Sequence, residues 1–138
     1  MIEEIEYYLQ LEPDDAEALF NMGISYYNLQ DYSSAVASFS DAIDIDKNLC
    51  EAYYYRGVCF SVLGEHEKTS FDYAMSIECG AMPAESYYNL AMLCLNQEQY
   101  IQALEYLQSA RERTNDEGLI AAIDGIILEF ESLDLNME

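Results

Sequence analysis

Basic residues are the scarcest charge in this chain: five Lys and Arg face 27 Asp and Glu, a formal net charge of -22. So negative a surface repels phosphate backbones and anionic lipid headgroups, which argues against nucleic acid and acidic membranes as partners. A partner with a basic or mixed face is attracted and steered instead. No apolar run reaches the roughly 18 residues that a bilayer-spanning helix needs, so no membrane insertion is expected. The opening Met1-Ile2-Glu3-Glu4-Ile5-Glu6 lacks the basic region and apolar stretch of a signal peptide. Two prolines and six glycines point to a helical chain with few loops. His66 is the lone histidine, so Cys-His and Ser-His pairs have almost nothing to be built from. GxGxxG, P-loop and HExxH patterns are absent too.

What is present is an apolar fraction of 51% in 138 residues, enough for one domain with a continuous core. The chain also repeats. Segments beginning at Ala16, Cys50 and Ala84 align without insertions, a period of 34 residues. Numbered from those starts, position 8 is Gly23, Gly57 and Ala91. Position 20 is Ala35, Thr69 and Ala103; position 27 is Ala42, Ser76 and Ala110. All nine are small, as close helix crossings require. Position 4 is Leu19, Tyr53 and Tyr87; position 11 is Tyr26, Phe60 and Cys94; position 24 is Phe39, Tyr73 and Leu107. These larger residues fill the space beside the small ones, the pattern of stacked helix pairs. Turns within each pair fall at Gln30-Asp31, Gly64-Glu65 and Glu98-Gln99, with Asp31 an N-cap. Pro13-Asp14-Asp15 ends one helix and caps the next.

On these residues the 34-residue unit resembles the tetratricopeptide repeat over residues 16–117. Residues 16–46 match the family pattern at nearly every signature position, Tyr32 and Ala35 included. The second repeat departs at Thr69, Ser76 and Ala81, and the third at Ala91 and Cys94. The resemblance implies an all-α fold, a right-handed superhelix of antiparallel helix pairs. The expected segments are 1–15, the second helix of an incomplete repeat or an N-terminal cap; repeats at 16–49, 50–83 and 84–117; and a capping helix at 118–138. The opening half-repeat is read as a cap or as the start of a fragment of a longer protein, with truncation favoured. Leu119, Ile123, Ile126, Phe130 and Leu133 form the apolar stripe of the last helix. Helices are expected near 2–12, 16–29, 32–45, 50–63, 66–79, 84–97, 100–113 and 116–133.

The resemblance also implies a concave groove lined by the first helix of each pair. Positions 5, 9 and 12 make a stripe apart from the packing residues: Phe20, Ile24 and Tyr27; Tyr54, Val58 and Ser61; Tyr88, Met92 and Leu95. Apolar and Tyr-rich, it is a candidate recognition surface. Glu17, Glu51 and Glu85 at position 2 give it a negative rim, although first-turn Glu is also favoured by the helix dipole alone. Position 6 is Asn21, Tyr55 and Asn89, and Asn there in similar proteins bonds a peptide backbone. Some family members clamp a chaperone's C-terminal carboxylate with basic side chains. The matching positions, Phe20, Ile24, Tyr55, Glu85 and Asn89, hold none here, so that clamp is absent.

The expected function is therefore a protein-interaction module for a peptide or helix with apolar anchors and at least one Lys or Arg. The alternative is a dedicated chaperone for an apolar secreted or assembled partner, similar to the tetratricopeptide chaperones of type III secretion. No enzyme activity, cofactor or metal is expected, and self-association through the terminal helix stays open. Cys50, Cys59, Cys79 and Cys94 have spacings of 9, 20 and 15 that fit no zinc or CxxC motif. They are expected as four free, mostly buried thiols in a cytoplasmic protein. His66 is expected to pack at its turn, and Arg56 to pair structurally with Asp72.

Overall fold

The structure, a computed structural model, describes residues 1–137, with side chains through Leu133. Among the described residues there are eight helices and no strand: α1 (Ile2–Leu11), α2 (Ala16–Asn28), α3 (Tyr32–Ile45), α4 (Cys50–Val62), α5 (His66–Cys79), α6 (Pro83–Asn96), α7 (Tyr100–Glu112) and α8 (Glu117–Met137). All eight expected helices are present, with ends shifted by a residue or a few. The last residue of the expected capping segment, Glu138, lies outside the described residues.

The punctuation is local chemistry. Asp15 accepts from the Ala18 N–H at 3.0 Å and Asp31 from the Ser34 N–H at 3.3 Å, each satisfying an orphan donor of the first turn. Asp116 does the same for the Leu119 N–H at 2.9 Å. Pro83 opens α6, where its missing N–H costs no helical bond. Each turn inside a pair is closed by one recurring device. The N–H groups of Asp31, Glu65 and Gln99 reach back to the carbonyls of Tyr26, Phe60 and Cys94 at 2.9, 2.9 and 2.8 Å. The residue before each donor is left-handed: Gln30 at φ 61°, Gly64 at 78° and Glu98 at 60°.

The chain folds as two compact units, Met1–Met82 and one beginning at Pro83. In the first, α2 packs on α3, α4 on α5, and α3 on α4, while α1 lies against α2. Its core holds Ala35, Phe39, Ile43, Ala52, Tyr53 and Cys59. In the second, α6 packs on α7 and α7 on α8, around Ala91, Leu107, Ala110 and Ile123. The small and large positions behave as expected: Ala35, Ala42, Ala91, Ala103, Ala110, Phe39 and Leu107 are all fully buried. The α8 stripe buries Ile123 and partly buries Leu119, Ile126 and Phe130, whereas Leu133 is 58% exposed, past the end of the surface that α7 offers.

Candidate partner-binding site

The first unit carries a cleft of about 570 Å³. Its walls come from the start of α2, the α3–α4 turn with the start of α4, and the end of α5. Four of the expected groove residues meet there: Glu17, Phe20, Asn21 and Glu51. Glu17 and Glu51 sit in the first turns of α2 and α4, are exposed, and gain from the positive ends of those helices. Phe20, half-buried, lines the cleft with them, and Asp46 adds a third carboxylate.

The same cleft corrects the expectation of four free thiols. Cys50 and Cys79 form a disulfide, with Cα atoms 5.6 Å apart. The reason lies in the helix pair itself. Cys50 is the first residue of α4 and Cys79 the last of α5, and antiparallel packing brings those ends together at bridging distance. The signal was legible as repeat positions 1 and 30 of one unit; scanning for metal spacings missed it. Because the cytoplasmic expectation leaned on reduced thiols, the bond removes that support. Cys59 and Cys94 are free and buried. Burial pushes the Cys59 thiol up to about 11 and raises that of Cys94.

Position 5 requires a second correction. It was expected off the packing stripe, yet Phe20 stands 5.7 Å from Phe39 and Tyr54 5.9 Å from Tyr73, ring centroid to centroid. The small residues at position 8 leave room for the position 24 ring, and a position 5 aromatic lies one turn back on nearly the same face. Tyr55, expected among the groove residues, is packed with Phe20, Tyr27 and Phe39 at 6.1, 5.8 and 6.2 Å. It joins α4 to α2. Burial raises the Tyr27 phenol. Ile24 turns toward a second hollow of about 390 Å³ shared with Ile5 and Tyr8 of α1. Val58 is half-buried and Ser61 exposed.

In the second unit, Glu85, Tyr88, Asn89, Met92 and Leu95 are all partly exposed on α6. Tyr88 and Met92 also pack against the α6–α8 core. Here too the stripe is shared between core and surface.

Elsewhere the polar chemistry is structural. Arg56 grips Asp72 with two bonds, Nε to Oδ2 at 2.8 Å and a second guanidinium nitrogen to Oδ1 at 2.7 Å, as expected. It also donates to Ser40 Oγ at 3.2 Å and lies over the rings of Tyr53 and Phe60. Burial raises the Asp72 pKa against the pull of Arg56, and Asp72 is fully buried. His66 was expected to pack but is exposed as the first residue of α5. Among the described residues, no cluster of three or more His, Cys, Asp or Glu could hold a metal ion. Among them too, no helix is long and apolar enough to cross a membrane.

Known proteins match this geometry. Tetratricopeptide repeat family models match residues 16–49 and residues 84–116. The human protein Tetratricopeptide repeat protein 6 is 34% identical over 64 residues; the match takes in 44% of this chain and spans 12% of that protein's length. A crystal structure of MamA superposes with a TM-score of 0.83 over 96% of this chain and 77% of its own, at 22% identity. MamA from Desulfovibrio magneticus RS-1 gives 0.74 over 95% and 84%, also at 22%. YrrB, described as a TPR protein with an unusual peptide-binding site, gives 0.73 over 85% of this chain and 60% of its own, at 21%. The structural likenesses establish the fold, all-α helix pairs. With three helix pairs in one 34-residue register and two of them matched by the repeat's own sequence models, the chain belongs to the tetratricopeptide repeat family.

Proposed function

We propose that the chain is a protein-interaction module that holds an extended peptide or a helix of a partner. Its principal anchor is the cleft of the first unit. One observation carries the reading: two exposed carboxylates, Glu17 and Glu51, and a half-buried aromatic ring, Phe20, line one cleft of about 570 Å³. Such a site suits an apolar side chain on Phe20 next to a Lys or Arg whose charge meets the acidic lip. Asn21, exposed beside them, can exchange hydrogen bonds with an extended backbone. The peptide-binding site named for YrrB, a structure of the same fold, supports the same use of this one. Tyr54 and Val58 extend the face along α4. On α6 of the second unit, Glu85, Tyr88, Asn89, Met92 and Leu95 repeat the composition and are proposed to serve in the same way.

The test is selection of binders from a random peptide library, followed by binding kinetics. Selected peptides should pair an apolar anchor with a nearby Lys or Arg. Glu51→Gln should slow association, with the effect fading as salt rises. Asn21→Ala should speed dissociation. Peptides that bind the Glu17→Gln/Glu51→Gln and Asn21→Ala variants as they bind the original would overturn the assignment of this cleft.

A further inference from the structure

The Cys50–Cys79 bond joins two of the three walls of the cleft, the lip at the start of α4 and the lip at the end of α5, while α2 supplies the third wall with Glu17, Phe20 and Asn21. Cys79 is exposed and Cys50 half-buried, so solvent reaches the sulfurs. One lip is Leu49, Cys50 and Glu51; the other is Cys79, Gly80 and Ala81. Each lip has its own backbone support. α5 ends on a left-handed Gly80 at φ 94°, with the Ala81 N–H on the Ser76 carbonyl at 2.9 Å and Ser76 Oγ on the Ala81 carbonyl at 2.8 Å. The α3–α4 turn is closed by the Leu49 N–H on the Asp46 carbonyl at 3.2 Å. With the disulfide open, α4 and α5 stay joined by Tyr54 on Tyr73 and by Arg56 on Asp72, so any freedom gained is local to the two lips.

We propose that this disulfide is a reducible clasp: closed, it holds the α4 and α5 lips of the cleft to each other, and opened by a dithiol reductant it frees these two segments to move. Its two sulfurs are not equivalent. Cys50 is the first residue of α4, whose first turn has no side-chain cap, so the positive end of the helix stabilises a thiolate there. Cys79 ends α5, where the dipole disfavours one. In the chain each has one acidic neighbour, Glu51 and Glu78, and Asp46 and Glu17 also line the cleft, so the carboxylates favour neither thiolate, and the helix ends and the greater exposure of Cys79 decide. A reductant thiolate accordingly attacks the exposed Cys79 Sγ. The Sγ–Sγ bond breaks, and its electron pair leaves on Cys50 as a thiolate. The reductant's second thiol then attacks the mixed disulfide and expels Cys79. The dithiol is oxidised to a disulfide, the clasp is reduced by two electrons, and the two protons the dithiol gives up protonate the cysteines.

The experiment uses the whole chain, oxidised and then treated with dithiothreitol under native conditions. Alkylation after denaturation should count two thiols before treatment, Cys59 and Cys94, and four after it. Amide hydrogen exchange should speed up at residues 48–52 and 78–82 on reduction, while residues 35–43 keep their protection. The Cys50→Ser/Cys79→Ser variant should exchange like the reduced protein with or without dithiothreitol, which separates the bond from side effects of the reagent. Cys50 in the Cys79→Ser variant should alkylate several-fold faster than Cys79 in the Cys50→Ser variant. Four thiols in the oxidised protein, or lip exchange that ignores the bond, would sink the clasp. Its control over binding rests on the reading of the cleft given above, and selected peptides that bind both redox states equally would overturn that control. Lips that loosen on reduction in a protein that binds no peptide in either state would uphold the clasp and reject the partner-binding reading.

Discussion

The Phe39 ring occupies the space that a side chain on Gly23 would need: a Cβ built there would come within 2.5 Å of Phe39 Cε1. Phe39 is fully buried and has no room to retreat. Gly23→Ala should therefore destabilise the protein by about 1–3 kcal/mol through overpacking. Gly125, inside α8, is the control, because a Cβ there meets nothing within 4 Å. Gly125→Ala should stabilise by about 0.5–1 kcal/mol through helix propensity. Urea denaturation of the two variants reads both; equal effects would mean that the small residue at position 8 is not set by the ring beside it.

The pairing of Gly23 with Phe39 was legible in the sequence, because a fixed period forces small and large residues into register. Helix existence and the caps at Asp15 and Asp31 were legible for the same kind of reason: each depends on near neighbours in the chain. The binding face was less so. Whether Tyr55 meets solvent or the rings of Phe20 and Tyr27 depends on how α4 approaches α2, and that crossing is set by packing rather than by spacing. Position 10 was missed altogether. Ser25, Cys59 and Leu93 are all buried there, but their chemistry is too mixed to announce a core position. The Cys50–Cys79 bond hid in plain view, since its partners are 29 residues apart in sequence and adjacent only once the pair folds.

The recurring left-handed turn residue makes a second prediction. Gly64 takes φ 78° without strain, whereas Gln30 at 61° and Glu98 at 60° carry a Cβ in the same conformation. Gln30→Gly and Glu98→Gly should each raise stability by about 0.5–1 kcal/mol, the left-handed cost less the extra chain entropy of glycine. Gly64→Ala should lose about 1 kcal/mol or more, although nothing lies within 4 Å of its Cβ position. Thermal melts of the three variants check this. A Gly64→Ala protein as stable as the original would show that the turn relaxes away from the left-handed region.

Arg56 and Asp72 are 15% and 1% exposed, so neither charge has water to fall back on. Arg56→Met should cost about 3–5 kcal/mol at neutral pH, because Asp72 is left ionised and buried without its partner. The sign of the pH dependence follows. Burial already holds the Asp72 pKa above the ordinary carboxylate value, and loss of Arg56 removes the group that pulls it down. In the variant, the folded state takes up a proton more readily than the unfolded chain. The deficit should therefore be full at neutral pH and shrink as pH falls through the raised folded pKa. The Arg56→Met/Asp72→Leu double variant should recover most of the loss at every pH. Urea denaturation across pH tests both points, and a deficit that grows on acidification would contradict the mechanism.

Salt provides the last test, and it concerns the whole charge distribution. With 27 acids and five bases, at most five acids can be paired one to one. Arg56 is committed to Asp72, Arg111 to Asp124 and Arg113 to Glu112. The remaining carboxylates repel one another, and folding concentrates them: Glu17 and Glu51 share the lip of one cleft. Repulsion over such distances is felt at about 0.01 M salt, where the Debye length is roughly 30 Å, and is largely screened at about 0.15 M, where it is roughly 8 Å. Sodium chloride over that range should raise the melting temperature by several degrees, since about 1 kcal/mol corresponds to about 3–5 °C in a domain of this size. Glu17→Gln/Glu51→Gln should start from a higher melting temperature at low salt and gain less from added salt. A melting temperature that falls as salt is added would show that the stabilising ion pairs outweigh the repulsion. The acidic lip would then be a poor source of long-range attraction for a basic partner.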